Sequence, residues 1–292
     1  MKYKMKKNVN IVYPTQEELK KLQNNMLELL IEFDRICRKY KIRYSIDGGT
    51  LLGAVRHKGF IPWDCDIDVD ILEEDYKYFK EACKKELDSK KFYLQDHLTD
   101  KNYRWAYARL LRENTVYTRA GYSHMNVKNG VFIDIFTMEN TPDNICIRYI
   151  YKFFCALIRK LLWSEAGKKV HPSLFMRGLY NLLSKISKKN IFKFKNIISK
   201  IFSKNQKSIY IMSVGAHYSK SCPFGYKRSF FDNLKEYTFE NYKFYGYANY
   251  DWVLKSLYGD YMKLPSEEER KDNIPCEEFK YTEAEFDSQE NE

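Results

Sequence analysis

None of the seven cysteines, Cys37, Cys65, Cys83, Cys146, Cys155, Cys222 and Cys276, stands in a CxxC or CxH spacing, and their number is odd. Neither a zinc site nor a disulfide framework is expected, and a reducing compartment is. The basic start, MKYKMKKNVNIVYPTQEEL, has no apolar stretch of the kind a secretory signal needs, so a cytoplasmic location is expected. Long hydrophobic runs are also missing. The longest apolar stretch, residues 145–163, is broken by Arg148, Lys152, Arg159 and Lys160, which argues against a spanning helix while leaving one that could lie on a membrane. There are no internal repeats.

Hydrophobic residues make up 44% and charged residues 30% of the 292, which excludes disordered, collagen-like and membrane-embedded classes. A chain of this length buries roughly 75% of its unfolded surface, enough for one large domain or two ordinary ones. The formal charge of +11 is unevenly distributed. Residues 148–207 hold 15 Lys or Arg and one acid, Glu165, a net +14, while the rest of the chain is at −3. The last 27 residues carry 11 acids against 3 bases. The basicity belongs to one segment, which invites contact with an anionic partner.

A helix is predicted to open at Thr15, where T-Q-E-E offers a capping box with Glu18, and Leu19, Leu22, Met26, Leu29, Leu30, Phe33, Ile36 and Cys37 follow at helical spacing. Strands are predicted at 43–47, 65–71, 91–96 and 129–139, the last apolar enough to be central in a sheet. Residues 105–119 read as a hairpin pair and 73–87 as a helix. After Pro142 the pattern becomes basic amphipathic helices, interrupted near Gly167 and Pro172. A hairpin at 237–246 and a helix capped by Asn249 and ended by Gly259 follow, and the charged tail after Pro265 shows no periodicity.

Chemistry concentrates between residues 46 and 70. On a strand through this region Asp64, Asp66, Asp68 and Asp70 alternate with Cys65, Ile67, Val69 and Ile71, giving an acidic front and an apolar back. Carboxylates about 7 Å apart repel one another unless cations neutralise them. With hard oxygen donors and no His or Cys set nearby, Mg²⁺ or Mn²⁺ is the expected cation. A solvated acidic edge is the plainer alternative. Against it stands the turn Asp47-Gly48-Gly49-Thr50, which ends a strand and starts a helix at Thr50, so that Gly48, Gly49 and Thr50 offer backbone N–H groups to a phosphate. Asp134, the only charge in VFIDIF, needs a partner if buried: a structural Arg or backbone pairing and a metal or base role both remain open. Arg56, Lys58, Arg109 and Arg112 are candidate phosphate clamps, each with the alternative of a solvated surface charge.

The string GGTLLGAVRHKGFIPWDCDIDVDI resembles the LicD family, the phosphocholine transferases and fukutin-like proteins of the nucleotidyltransferase-fold superfamily. Later blocks, ARLLRENT, GVFIDIF and LYGDYMKLPSEEER, are similar to that family's in the same order, so the resemblance covers about 40–270. Cys65 stands where the family commonly has Asp, and Tyr247-Ala248-Asn249-Tyr250 where relatives often have Pro.

The resemblance implies an α/β (α+β) fold: a nucleotidyltransferase-like mixed sheet flanked by helices, with a basic helical insertion. The partition it suggests is a catalytic core at 12–142, a basic helical segment at 143–209, a completing part at 210–270 and an acidic tail at 271–292. It further implies transfer of a phospho-alcohol, with CDP-choline as the foremost donor, onto a hydroxyl of a cell-surface or lipid-linked glycan such as lipopolysaccharide or teichoic acid, releasing CMP. Asp66, Asp68 and Asp134 are the expected catalytic and metal residues. Gly48, Gly49, Thr50, Arg56, Lys58, Arg109, Arg112 and Asp64 are the expected substrate contacts. Attachment of a nucleoside monophosphate to a small acceptor, and non-enzymatic membrane or nucleic-acid binding through 148–207, are the alternatives. No nucleic-acid motif supports nucleic-acid binding, and for 148–207 two uses stay open: peripheral contact with an anionic membrane, or an apolar stripe packed on the catalytic core with the lysines solvating its outer face.

Overall fold

The computed structural model describes residues 11–203, 208–267, 270 and 276–284. The first ten residues, the end of the basic segment (204–207) and most of the acidic tail (271–275 and 285–292) lie outside the described residues.

Helix α1 (Gln16–Lys39) starts as its sequence demands. The Thr15 hydroxyl accepts from the Glu18 N–H at 3.3 Å while the Glu18 carboxylate accepts from the Thr15 N–H at 2.8 Å. Such a cap is worth about 1 kcal/mol. The stripe from Leu19 to Cys37 is buried, and each fully buried side chain of this kind contributes on the order of 2 kcal/mol.

After α1 come β1 (Tyr44–Ile46), α2 (Gly48–Arg56), β2 (Asp68–Leu72) and α3 (Glu73–Glu86). Then follow β3 (Phe92–Gln95), β4 (Ala108–Arg112), β5 (Val116–Arg119) and β6 (Val131–Asn140). The basic segment forms α4 (Ile145–Val170), α5 (Leu174–Leu183) and α6 (Lys188–Phe202). The chain continues through β7 (Tyr210–Met212), β8 (Tyr226–Lys227), β9 (Leu234–Phe239), β10 (Tyr242–Tyr247), α7 (Tyr250–Tyr258) and β11 (Cys276–Lys280).

The main sheet runs β3-β4-β6-β2-β1-β10-β9, with β7 on β6 and β8 on β7. The β2–β6 and β1–β10 pairs are parallel and the other pairs antiparallel. The fold is thus a mixed sheet flanked by helices, drawing strands from both sides of the helical segment, with β6 central as its apolar run requires. Register puts Leu110 opposite Ile133 and Val69 opposite Ile135. These residues are fully buried and belong to the main core, which α1 and α3 close. A second core lies under α4 and α6, where Tyr151, Cys155, Ile158, Ile191, Phe192 and Ile198 meet Met212 and Val214.

Four local expectations change. The strand of the acidic motif begins at Asp68 instead of residue 65, so Asp64 and Asp66 sit on a loop. Helix α2 begins at Gly48 instead of Thr50, with Asp47 as its N-cap. The segment 105–119 is not a hairpin: β4 pairs with β3 and β6, while β5 leaves the sheet and pairs with β11, which arises inside the supposedly aperiodic tail. Asn114, at φ +62°, turns the chain between the two strands. Helix α4 passes straight through Gly167 and ends before Pro172, because the residue preceding a proline resists helical backbone.

Candidate active site

The site is built where β1 and β2 end against the start of α2. The Asp47 N–H donates to the Asp68 carbonyl at 3.0 Å, and the Asp68 N–H donates to the Thr50 hydroxyl at 2.9 Å, so the acidic segment is tied to the first turn of α2. Gly48 is needed there: its φ is +55°, and a Cβ would lie 3.2 Å from an Asp68 carboxylate oxygen. A Cβ on Gly49 would come within 2.6 Å of an Asp64 oxygen. The first intrahelical bond is donated by Leu51, to the Asp47 carbonyl, which leaves the N–H groups of Gly48, Gly49 and Thr50 without intrahelical acceptors. Those groups and the helix dipole present partial positive charge beside the acids.

Asp64, Asp66 and Asp68 are half-buried together, while Cys65, Ile67 and Val69 are buried on the other side, as alternation requires. Asp64 and Asp66 lie within hydrogen-bonding reach of each other. Burial and the neighbouring charge of Asp66 push both Asp64 and Asp68 well above the usual carboxylate range, and Asp134 adds to the effect on Asp68. Asp66 is raised by burial, less strongly, because Arg119 opposes the shift.

Asp134 is paired across the parallel ladder with Asp68 and across the antiparallel ladder with Arg109. Its carboxylate is nearly inaccessible and accepts from Arg109 Nε at 2.7 Å and from Arg119 at 3.0 Å. Arg119 also stands 3.7 Å from Asp66, so it links Asp134 to the acidic loop. The Arg109 guanidinium lies 3.8 Å over the Phe132 ring, which fixes its plane. Both arginines line a cavity of about 250 Å³ whose walls include Trp105, Tyr117, Tyr122 and Asn129.

A second carboxyl pair sits behind the first. Asp47 and Asp70 are in mutual contact, with Tyr226 donating to Asp47 at 2.9 Å and Tyr247 donating to Asp70 at 2.7 Å. Burial drives Asp47 up to about 6, and burial with the neighbouring Asp47 charge pushes Asp70 well above the usual carboxylate range. Asp70 is therefore a buried member of a tyrosine-capped pair, and the acidic front narrows to Asp64, Asp66 and Asp68. Tyr258 stands at the rim, its hydroxyl raised by burial and by Asp47, Asp64, Asp68 and Asp66.

The structure brings Gly48, Gly49, Thr50, Asp64, Asp66, Asp68, Arg109 and Asp134 together. It does not bring three others. Arg112 lies three residues beyond Arg109 on one strand, hence on the opposite face, where it pairs with Glu28 of α1 at 2.9 Å. Arg56 is at the far end of α2, about 12 Å along the helix from Gly48, donating to the Tyr261 carbonyl at 2.6 Å. Lys58 is exposed, at φ +61°, its ammonium 3.4 Å from the Val55 carbonyl. Conversely, Arg119, Asp47, Tyr226, Tyr247 and Tyr258 were not found from sequence. Of these, Asp47 stood in the turn Asp47-Gly48-Gly49-Thr50, Tyr247 in the stretch Tyr247-Ala248-Asn249-Tyr250 and Tyr258 in the block LYGDYMKLP, whereas Arg119 and Tyr226 carried no signal.

Among the described residues no group of three His, Cys, Asp or Glu side chains is arranged to hold a metal ion by itself. Both Asp134 oxygens already accept from guanidinium groups, which removes the third carboxylate from a ready-made set. Asp66 and Asp68 nevertheless suit a hard cation: they are half-exposed, mutually repelling and oxygen-only, and Mg²⁺ commonly binds one or two carboxylates with substrate phosphates completing its shell.

The fold is a mixed α/β sheet whose acids face the open N-terminus of a helix, and comparison assigns the class of the domain that holds them. The family model described as LicD/FKTN/FKRP, nucleotidyltransferase domain, matches residues 41–153. The lipopolysaccharide cholinephosphotransferase LicD of Haemophilus influenzae is 31% identical over 272 residues, which span 87% of this chain and 94% of that protein. The chain belongs to the LicD family. Ribitol 5-phosphate transferase FKRP of Homo sapiens is 56% identical over 34 residues, 12% of this chain and 7% of that protein. The uncharacterized protein RT0683 of Rickettsia typhi is 42% identical over 57 residues, 20% of this chain and 18% of that protein.

Proposed function

We propose that this protein transfers a phospho-alcohol, phosphocholine from CDP-choline, to a hydroxyl of a cell-surface or lipid-linked glycan. The acceptor oxygen bonds to the phosphocholine phosphorus, the bond from that phosphorus to the bridging oxygen breaks, CMP leaves with the bridging oxygen, and the hydroxyl proton is released. The observation that carries the reading is the convergence of Asp66 and Asp68, the first-turn N–H groups of α2 at Gly48, Gly49 and Thr50, and the Arg109–Asp134–Arg119 cluster. Phosphoryl transfer asks a protein for positioning and charge neutralisation, which are the resources these residues supply. The whole-length likeness to a cholinephosphotransferase supports choline as the alcohol.

In this reading Asp66 and Asp68 hold the divalent cation, which when bound neutralises diphosphate charge. The α2 N–H groups donate to phosphate oxygens. Asp134 acts through the arginines, holding Arg109 and Arg119 at the angle from which Arg119 reaches both Asp66 and an incoming phosphate. Asp64 keeps Asp66 in place.

The test is incubation of purified protein with Mg²⁺, a panel of CDP-alcohols and an acceptor extract, with CMP measured. CMP release that depends on acceptor and is fastest with CDP-choline is expected. Pyrophosphate release from CTP, with no CMP from any CDP-alcohol, would replace this reading with nucleotidyl transfer.

A further inference from the structure

We infer that the outer face of α5 is a docking surface for an anionic lipid bilayer. Its surface is inverted relative to an ordinary surface helix, which turns its apolar face to the core. Leu174 is 76% exposed, Phe175 79% and Leu182 61%, with Leu179 and Ile186 continuing the stripe, whereas Tyr180 alone is buried. The inner face of α5 packs closely along α4: Tyr180 meets Trp163 with ring centroids 5.2 Å apart, beside Gly167, where a Cβ would meet both rings at under 3 Å, and Leu183 packs on the second core. The remaining face is left to something outside the described chain.

Charge says what that is. Arg177 lies in α5, Lys185 in the turn after it, Lys169 in the last turn of α4 and Lys189 in the first turn of α6, and Lys169, Lys185 and Lys189 are exposed. The one acid between residues 148 and 207, Glu165, is already paired with Lys168. A second copy of this chain would oppose a segment of net +14 with another. A nucleic acid would satisfy the lysines and leave Leu174, Phe175 and Leu182 in water. An anionic bilayer satisfies both, accepting apolar side chains below the headgroups and basic ones among them.

The structure also separates the docking charges from the scaffold charges. Lys188 donates inward to the His97 and Asp100 carbonyls at 2.8 and 2.9 Å, and Lys195 is buried against Glu139 at 2.5 Å. On α4, Phe154 and Leu157 pack on the second core and Leu161 and Leu162 are buried in it. Thus the second half of α4 and the inner face of α6 are scaffold; Ile150 and Phe153 of α4 and Ile201 of α6 are exposed as well, and α5 carries the two most exposed large apolar side chains of the segment, Leu174 and Phe175. No helix among the described residues is long and apolar enough to cross a membrane, so contact is interfacial. The same hairpin reaches the site: Trp163 donates to the Tyr122 hydroxyl at 3.3 Å, and Tyr122 lines the arginine cavity. Trp163 thus touches both Tyr180 on the inner side of α5 and the wall of the cavity, which links the docking helix to the site through α4. Docking itself does not depend on the transfer reading.

Flotation of the full chain with vesicles of phosphatidylglycerol and phosphatidylcholine, against vesicles of phosphatidylcholine alone, tests it. Binding only to the anionic vesicles, weakening with added salt, is expected. Phe175→Ser and Leu182→Ser are each expected to weaken it on the order of tenfold. The triple change Lys169→Gln, Lys185→Gln and Lys189→Gln is expected to weaken it on the order of 100-fold. Thermal unfolding of all these variants should match wild type, since the side chains face solvent. Any of four results overturns the inference: no flotation, flotation indifferent to lipid charge, binding unaffected by the α5 variants, or a dimer or RNA complex lost with the same substitutions while vesicles are ignored.

Discussion

Replacing Asp68 with Asn should abolish turnover and make the metal-free protein more stable. The side chain is half-buried beside Asp66 and Asp134 and accepts no hydrogen bond among the described residues. Neighbouring strands lie about 4.8 Å apart, and two like charges at about 5 Å repel by roughly 3 kcal/mol at an effective dielectric of about 20. Arg119 offsets part of this, leaving a net gain of about 1–2 kcal/mol for Asn. For a chain of this size that corresponds to a rise of about 2–8 °C in Tm. The pH dependence has a definite sign. Because the folded Asp68 carboxyl titrates above its unfolded value, its contribution to stability is full below the unfolded pKa, 3.8, and is lost as pH rises through the folded one. The advantage of Asn should therefore grow from acid toward pH 8. Mg²⁺ should reverse the order: at 100 times its dissociation constant a ligand stabilises by about 2.7 kcal/mol, and only the wild type should respond fully. Urea unfolding of both proteins, with and without Mg²⁺ at pH 5 and pH 8, provides the readout. A metal-free variant less stable than wild type at pH 8, or an equal response of both to Mg²⁺, would refute the assignment.

Asp134→Ala should cost about 3–5 kcal/mol, since Arg109 would be left buried without its counter-charge and Arg119 without its main partner; a loss below 1 kcal/mol in the same unfolding assay would mean that the arginines find other acceptors. His97, stacked on Phe192 with centroids 3.9 Å apart, is lowered by burial from 6.5 to about 4. Its neutral form is favoured by folding, so stability should fall as pH drops from 6.5 toward 4 by no more than about 2 kcal/mol once partial exposure is allowed for. His97→Phe should remove that component from the difference between the two pH–stability curves.

What the sequence alone determined is what short-range physics controls. The capping box at Thr15, the helical stripe of α1, the β9–β10 hairpin and the alternation that turns Cys65, Ile67 and Val69 away from Asp64, Asp66 and Asp68 all depend on residues within a few positions of each other. So did the Gly48-Gly49 turn, because a left-handed backbone and two close carboxylates admit only glycine.

The tertiary structure decided which charges meet. Arg109 and Arg112 look alike in sequence, yet strand alternation sends one to Asp134 and the other to Glu28, 84 positions away. Arg119 joins the site because β5 leaves the sheet to pair with β11, more than 150 residues on, a choice no local pattern encodes. Lys188 and Lys195 carry the same basic amphipathic signature as Lys185 and Lys189, but the first two are turned inward onto His97, Asp100 and Glu139. A charge in a sequence has no partner until the chain closes its loops, and closure is set by burial summed over the whole core instead of by the identity of any neighbour.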